Sequence, residues 1–147
     1  MKLQPEKLIP FAPSGLPLRL MLYQARVAAG LPSPADDYVE KRLDLNEHLI
    51  RHPAATYFIH ASGNSMVNAG IHDGDLLIVD RAIAPADGDI VIAVLYGDLT
   101  VKRVRVRRGR LLLEPDNAAY PAIEVPPEAS FQVWGVVTHS IHRMVRR

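Results

Sequence analysis

The sequence predicts a mostly β protein, a compact bent β-sheet domain preceded by a flexible N-terminal arm containing short helices. Three observations carry this expectation. From Thr56 onward, the segments TYFIHA, LLIVD, DIVIAVL, LTVKRVRV, RLLLEP, AIEV and FQVWGVVTHSIHRMV are rich in β-branched residues and separated by Gly, Asp, Asn and Pro. The first 35 residues hold six of the chain's 12 prolines, Pro5, Pro10, Pro13, Pro17, Pro32 and Pro34, which argues against regular structure there. A length of 147 residues and a hydrophobic fraction of 48% suit one packed domain plus an arm.

In chain order, residues 1–50 form the arm and residues 51–147 the β domain. Within the arm, LRLMLYQARVAAG (residues 18–30) is expected to be a short helix stopped by Gly30. A second helical start follows, with Ser33 as N-cap, Pro34 at the first helical position, and Asp36 and Asp37 in the first turn. Asp44 and Glu47 form a further capping pair ahead of Leu45, Leu49 and Ile50, and helix ends before Pro53. In the β domain, Gly97 with Asp98 and Arg108 with Gly109 read as hairpin turns.

Composition narrows the chemistry. There are no cysteines, which excludes disulfides, thiolate metal sites and cysteine nucleophiles. No apolar run reaches the length of a membrane span and MKLQPEKLIPFAPSG has no signal-peptide core, so a soluble cytoplasmic protein is expected. Charge is asymmetric: residues 1–98 carry 8 Lys/Arg against 12 Asp/Glu, and residues 99–147 carry 9 against 4. Arg103, Arg105, Arg107, Arg108 and Arg110 could serve a nucleic-acid surface or simply a solvated strand face.

Lys102 poses the sharpest question. In LTVKRVRV (residues 99–106) it shares alternation parity with Val104 and Val106, while Arg103 and Arg105 point the other way. A lysine turned inward is disfavoured as an ammonium, so burial lowers its pKa and makes its amine a general base. A partly exposed residue near a strand end is the blander alternative. Ser65, in the loop ASGNSMVNAGIHDGDLLIVD (residues 61–80) between Gly63 and Gly70, is a nucleophile only if a base activates it. His60, His72, His139 and His142 are alternative bases, none in a recognisable triad motif. Asp73, Asp75, Asp80, Asp87 and Asp89 raise a metal alternative, but HDGDLL and ADGDIV each precede an apolar strand, as turns do. No histidine or glutamate completes a ligand set at a recognisable spacing.

The ordered pattern GNSM, GIHDGDLLIVD, GDIVIA, TVKR, LEPDNAAY and VWGVV, from Gly63 to Val137, resembles the self-cleaving Ser/Lys peptidase family that includes LexA and UmuD. AGLPSPADDYVEKRLDLNEHLIRHPAATYF extends the resemblance upstream and points to the UmuD branch. The resemblance implies that Ser65 is the nucleophile and Lys102 the general base, with the backbone N–H groups of Ser65 and Met66 stabilising the oxyanion. It implies no metal and no cofactor. The scissile bond is expected at Ala29-Gly30 in VAAGLPSP, where small residues suit a narrow groove; Ala69-Gly70 lies inside the catalytic loop and could not reach its own nucleophile. Alanine before the glycine is typical of LexA-like repressors, whereas the UmuD branch usually has cysteine there.

The resemblance further implies a homodimer of the SOS DNA-damage response, cut on a RecA filament assembled on single-stranded DNA. The shortened form would join a UmuC-like error-prone translesion DNA polymerase. An inactive module binding polymerase or RecA, and a fragment of a LexA-like repressor, are the alternatives. Roughly 29 proline-interrupted residues are too few for a helix-turn-helix domain, so direct DNA binding is not expected.

Overall fold

The computed structural model describes residues 2–3, 9–11, 18–23, 27, 29–31 and 39–147. One unit comprises Met1–Ala12 with His52–Arg147, and a second comprises Pro13–Arg51. The first is built on a single antiparallel sheet of strands β1 (Lys2–Leu3), β2 (Ile9–Pro10), β5 (Thr56–His60), β6 (Leu76–Asp80), β7 (Ile90–Leu95), β8 (Asp98–Arg107), β9 (Arg110–Glu114), β10 (Ile123–Val125) and β11 (Phe131–Ile141). Their spatial order is β10-β9-β8-β7-β11-β6-β5-β2, with β1 paired to β8. The protein is therefore mostly β, as its alternating apolar segments require.

Strand β7 is covered on both faces. Ile92 packs with Ile59, Leu77, Val79, Leu99 and Val101 in one cluster, whereas Val91 and Ala93 pack with Val104, Leu113, Val125 and Val136 in the other. Double coverage explains the uninterrupted apolar run IVIAVL. Strand β11 holds the sheet together, pairing with β7 over Phe131 to Val136 and with β6 from Val136 onward. Bulges at Val133/Gly135 and Val137/His139 let one strand serve both neighbours. Gly135 is needed there, because a Cβ would lie 2.6 Å from Val79 Cγ1.

Hairpin chemistry positions β8. Tyr96 and Gly97 have φ of 50° and 82°, and Arg108 and Gly109 have 51° and 74°, the twofold positive φ of type I′ turns. The Arg108-Gly109 turn stands where the sequence puts it. The Gly97-Asp98 expectation is corrected by one residue: Asp98 already pairs with Leu95, so Tyr96 takes the strained position. Strand β1 pairs with β8 at Thr100 and Leu99, whereas β9 pairs from Arg103 onward, so the two share one side of β8 at different heights.

In the second unit, β3 (Arg19–Tyr23) pairs antiparallel with β4 (Val39–Asp44), followed by α1 (Leu45–Leu49). The helix expected over residues 18–30 is corrected: residues 19–23 are strand, and cross-strand pairing overrides helix propensity. The overlooked signal is Leu18, Leu20 and Leu22 alternating at period two. The helix expected from Ser33 is likewise strand from Val39, while its cap residues Ser33, Pro34, Asp36 and Asp37 lie outside the described residues. The cap at Asp44 is present, its carboxylate accepting the Asn46 amide at 3.0 Å. Ala29 and Gly30 form an exposed bend in this unit.

Candidate active site

The loop joining β5 to β6, residues 61–75, carries Ser65. Its ends are closed by backbone bonds, from the Ala61 amide to the Asp75 carbonyl at 2.8 Å and from the Gly74 amide to the Ala61 carbonyl at 2.8 Å. Its middle is anchored by Met66, fully buried in the cluster with Ile71, Leu77 and Val101. Burying a methionine side chain contributes about 1.5–3 kcal/mol, enough to hold a short loop against the sheet. Gly70, at φ of 86°, ends the single helical turn Val67–Ala69 that follows Ser65.

A second support comes from the loop after β9. The Asp116 amide donates to Met66 Sδ at 3.3 Å, the Asn68 amide donates to the Asp116 carbonyl at 2.9 Å, and Asn117 Nδ2 donates to the Asn64 carbonyl at 2.9 Å. Arg103 fixes that loop in turn, with Nε 3.1 Å from Asp116 Oδ1 and Nη2 2.6 Å from Oδ2, while Nη1 donates to the Gly88 carbonyl at 2.7 Å. Arg103 holds the Asp116 carboxyl below its usual range, with burial opposing, and Asp116 raises the arginine reciprocally.

Lys102 and Ser65 meet. Lys102 Nζ lies 3.3 Å from Ser65 Oγ, with Ser65 only 1% and Lys102 only 5% exposed. Nζ also donates to Thr100 Oγ1 at 3.0 Å and to the Val101 carbonyl at 3.1 Å. A neutral amine has two N–H bonds and one lone pair. Once neutral, an amine that gives its two N–H groups to Thr100 and Val101 would turn its lone pair toward Ser65 Oγ. Burial pushes the Lys102 ammonium below the ordinary lysine range. Thr100 escaped the sequence reading, although its position two residues before Lys102 on one strand placed it on the same face.

The candidate histidines lie elsewhere. His60 Nδ1 is 3.2 Å from the Gly74 carbonyl, and His139 Nδ1 is 2.9 Å from Thr138 Oγ1. His72 and His142 both approach Asp75, with Nδ1 distances of 3.5 Å and 2.5 Å to its two oxygens. Asp89 behaves as a turn former, accepting the Ala86 amide three residues back, and Gly74 and Gly88 take φ of 87° and 94°, whereas Asp73 and Asp87 accept the distant Gly63 and Val106 amides and tie loop to loop and loop to strand. Asp80 accepts the Ala82 amide and lies 2.6 Å from His52. Around Asp75 the fold brings together what sequence spacing does not show: one ligand atom each of His72, Asp75 and His142 lies within 4.8 Å of the others. Burial opposes its ionisation, but the His72 amide, the His142 ring and the Ser140 hydroxyl outweigh that and hold the carboxyl low.

The basic face is largely neutralised within the sheet. Arg103, Arg105, Arg107 and Arg110 pair with Asp116, Glu114, Asp87 and Glu124 at 2.6, 3.2, 3.5 and 3.6 Å. Such pairing argues against these side chains forming a stripe that tracks phosphates.

Residues 21–138 match the Peptidase S24-like family, and the chain belongs to that family. It is 46% identical to Protein MucA of Salmonella typhimurium over 120 residues, covering 81% of this chain and 82% of that one. It is 51% identical to Protein SamA of Salmonella typhimurium strain LT2 over 122 residues, covering 83% and 84%. Against a LexA repressor of Paracidovorax citrulli it is 40% identical over 111 residues, 76% of this chain but 49% of the repressor.

Proposed function

We propose that this chain is a UmuD-like self-cleaving serine peptidase of the SOS response. Its trigger is a RecA filament on single-stranded DNA, and its shortened, homodimeric form is the accessory subunit of an error-prone translesion polymerase of the UmuC type. The observation that carries the reading is the buried 3.3 Å approach of Lys102 Nζ to Ser65 Oγ in a chain of the S24-like family. High identity to MucA and SamA across most of both chains supports the UmuD-like branch over a repressor fragment.

In the proposed reaction, Lys102 takes the Ser65 hydroxyl proton as Oγ attacks the Ala29 carbonyl carbon. The backbone N–H groups of Ser65 and Met66 stabilise the tetrahedral oxyanion. Collapse breaks the Ala29-Gly30 bond, and the Lys102 ammonium protonates the leaving Gly30 nitrogen. Water, deprotonated by the same amine, then attacks the ester carbonyl; the bond to Ser65 Oγ breaks, Ala29 leaves as the new C-terminus, and the Lys102 ammonium returns its proton to Oγ. No step requires a cofactor.

The test is intact-mass analysis after incubation with RecA, nucleotide and single-stranded DNA. Cleavage at Ala29-Gly30 leaves a product beginning at Gly30. An uncut chain under conditions where a known self-cleaving relative is cut would favour an inactive binding module.

A further inference from the structure

The register of β11 on β6 pairs Ile141 with Leu76, so the next residues outward, His142 and Asp75, come side by side. His72 reaches the same carboxylate from the turn before Asp75. The result is two imidazoles converging on one buried carboxylate, from elements 70 residues apart. We propose that His72, Asp75 and His142 bind a transition-metal dication of the zinc type, fastening the loop that carries Ser65 to the end of β11.

The donors fit. One ligand atom from each residue lies within 4.8 Å of the other two. The two imidazole rings are 4.4 Å apart and tilted by 37°. Donors bound at ~2.0–2.2 Å around a tetrahedral ion stand roughly 3.4 Å apart, so metal entry requires the His142–Asp75 contact to open by about 1 Å. Two nitrogens and one carboxylate oxygen favour zinc, nickel or copper over calcium or magnesium, which take oxygen ligands.

The surroundings fit as well. Asp75 is 2% exposed and held in place by Ser140 Oγ at 2.9 Å and the His72 amide at 2.8 Å, a preset carboxylate of the kind that orients metal ligands. The His72 and His142 side chains are 48% and 34% exposed, which leaves the ion an open side for entry and for water or an external ligand. A hydrogen-bonded trio of His142, Asp75 and Ser140 would be complete without His72, yet the His72 ring lies against His142 with Nδ1 toward the shared carboxylate. Arg143, Arg146 and Arg147 line the adjoining groove of about 350 Å³, opposing a bare dication and favouring an anion as its fourth ligand.

The test uses untagged, chelator-stripped full chain titrated with zinc chloride in a calorimeter and followed by thermal unfolding. The expected result is one equivalent bound and a raised melting temperature. His72→Ala and His142→Ala, both at half-open positions, should each weaken binding by about tenfold or more, and Ser140→Ala by about tenfold. His60→Ala and His139→Ala should leave it unchanged. Absence of binding at millimolar zinc, or unchanged affinity in both His72→Ala and His142→Ala, would overturn the proposal. The outcome is independent of whether the chain cleaves itself.

Discussion

Lys102 is where sequence and chemistry meet most directly. Strand periodicity alone turns it inward, because side chains alternate faces whatever their charge. Its amine reacts only when neutral, so spontaneous cleavage should rise from neutral toward alkaline pH and level off as the folded pKa is passed, below the ordinary ~10.4. A rate profile on folded protein checks this; a plateau near ~6.5 would point to a histidine base instead. Ser65→Ala, Lys102→Ala and Lys102→Arg should each lower the rate by about 10⁴-fold or more, the arginine because it does not deprotonate. Thr100→Val should slow it by about tenfold, by freeing one Nζ–H to turn the lone pair away from Ser65. Stability follows pH in the same direction. The unfolded chain holds the Lys102 proton more tightly, so the stability that Lys102 withholds at neutral pH is recovered only as pH rises through its folded pKa toward the unfolded one. Lys102→Met should therefore be more stable near pH 7 in urea unfolding, while inactive. The metal-type cluster was invisible in the sequence for a physical reason: ligand spacing is informative only within one element, and His72 and His142 meet through strand register.

Among the elements, the strands of the β domain were legible because each is short, apolar and bounded by turn residues. In the arm the cap at Asp44 and its short helix are legible, but residues 19–23 are not, since Leu18, Leu20 and Leu22 satisfy a helical composition and a strand alternation equally, and the partner strand that decides lies some twenty residues away. Strand β11 was read as one continuous segment, but its bulges and double pairing follow from neighbours that no local pattern reveals. Gly135→Ala tests that arrangement: the clash with Val79 should cost about 1–3 kcal/mol in urea unfolding. The Arg103–Asp116 pair tests the buttress behind Ser65. Because the Asp116 carboxyl is held low, its contribution is complete above the ordinary carboxylate range near ~4 and is lost as pH falls through its folded value. Asp116→Asn should slow cleavage at neutral pH without moving the alkaline plateau. A shifted plateau would mean that Asp116 acts on Lys102 itself.

At the scale of the whole molecule, the bond proposed for cleavage divides the sheet from part of its own edge. Strands β1 and β2 lie before Ala29, yet they pair with Leu99 and Thr100 of β8 and with Tyr57 and Phe58 of β5. Phe11 adds an edge-to-face contact with Phe58, ring centres 5.9 Å apart. Two-residue strands hold little once their covalent tether is gone. Departure of the severed peptide would leave backbone N–H and C=O groups of β5 and of the first half of β8 facing water. Amide hydrogen exchange over residues 56–60 and 98–101 should accordingly quicken in the cleaved form, and unchanged protection there would mean the peptide stays. An exposed strand edge is a template for any extended chain that offers a matching row of hydrogen bonds. Self-cleavage would thus do more than shorten the protein: it would make the sheet adhesive at two places that the intact chain keeps covered.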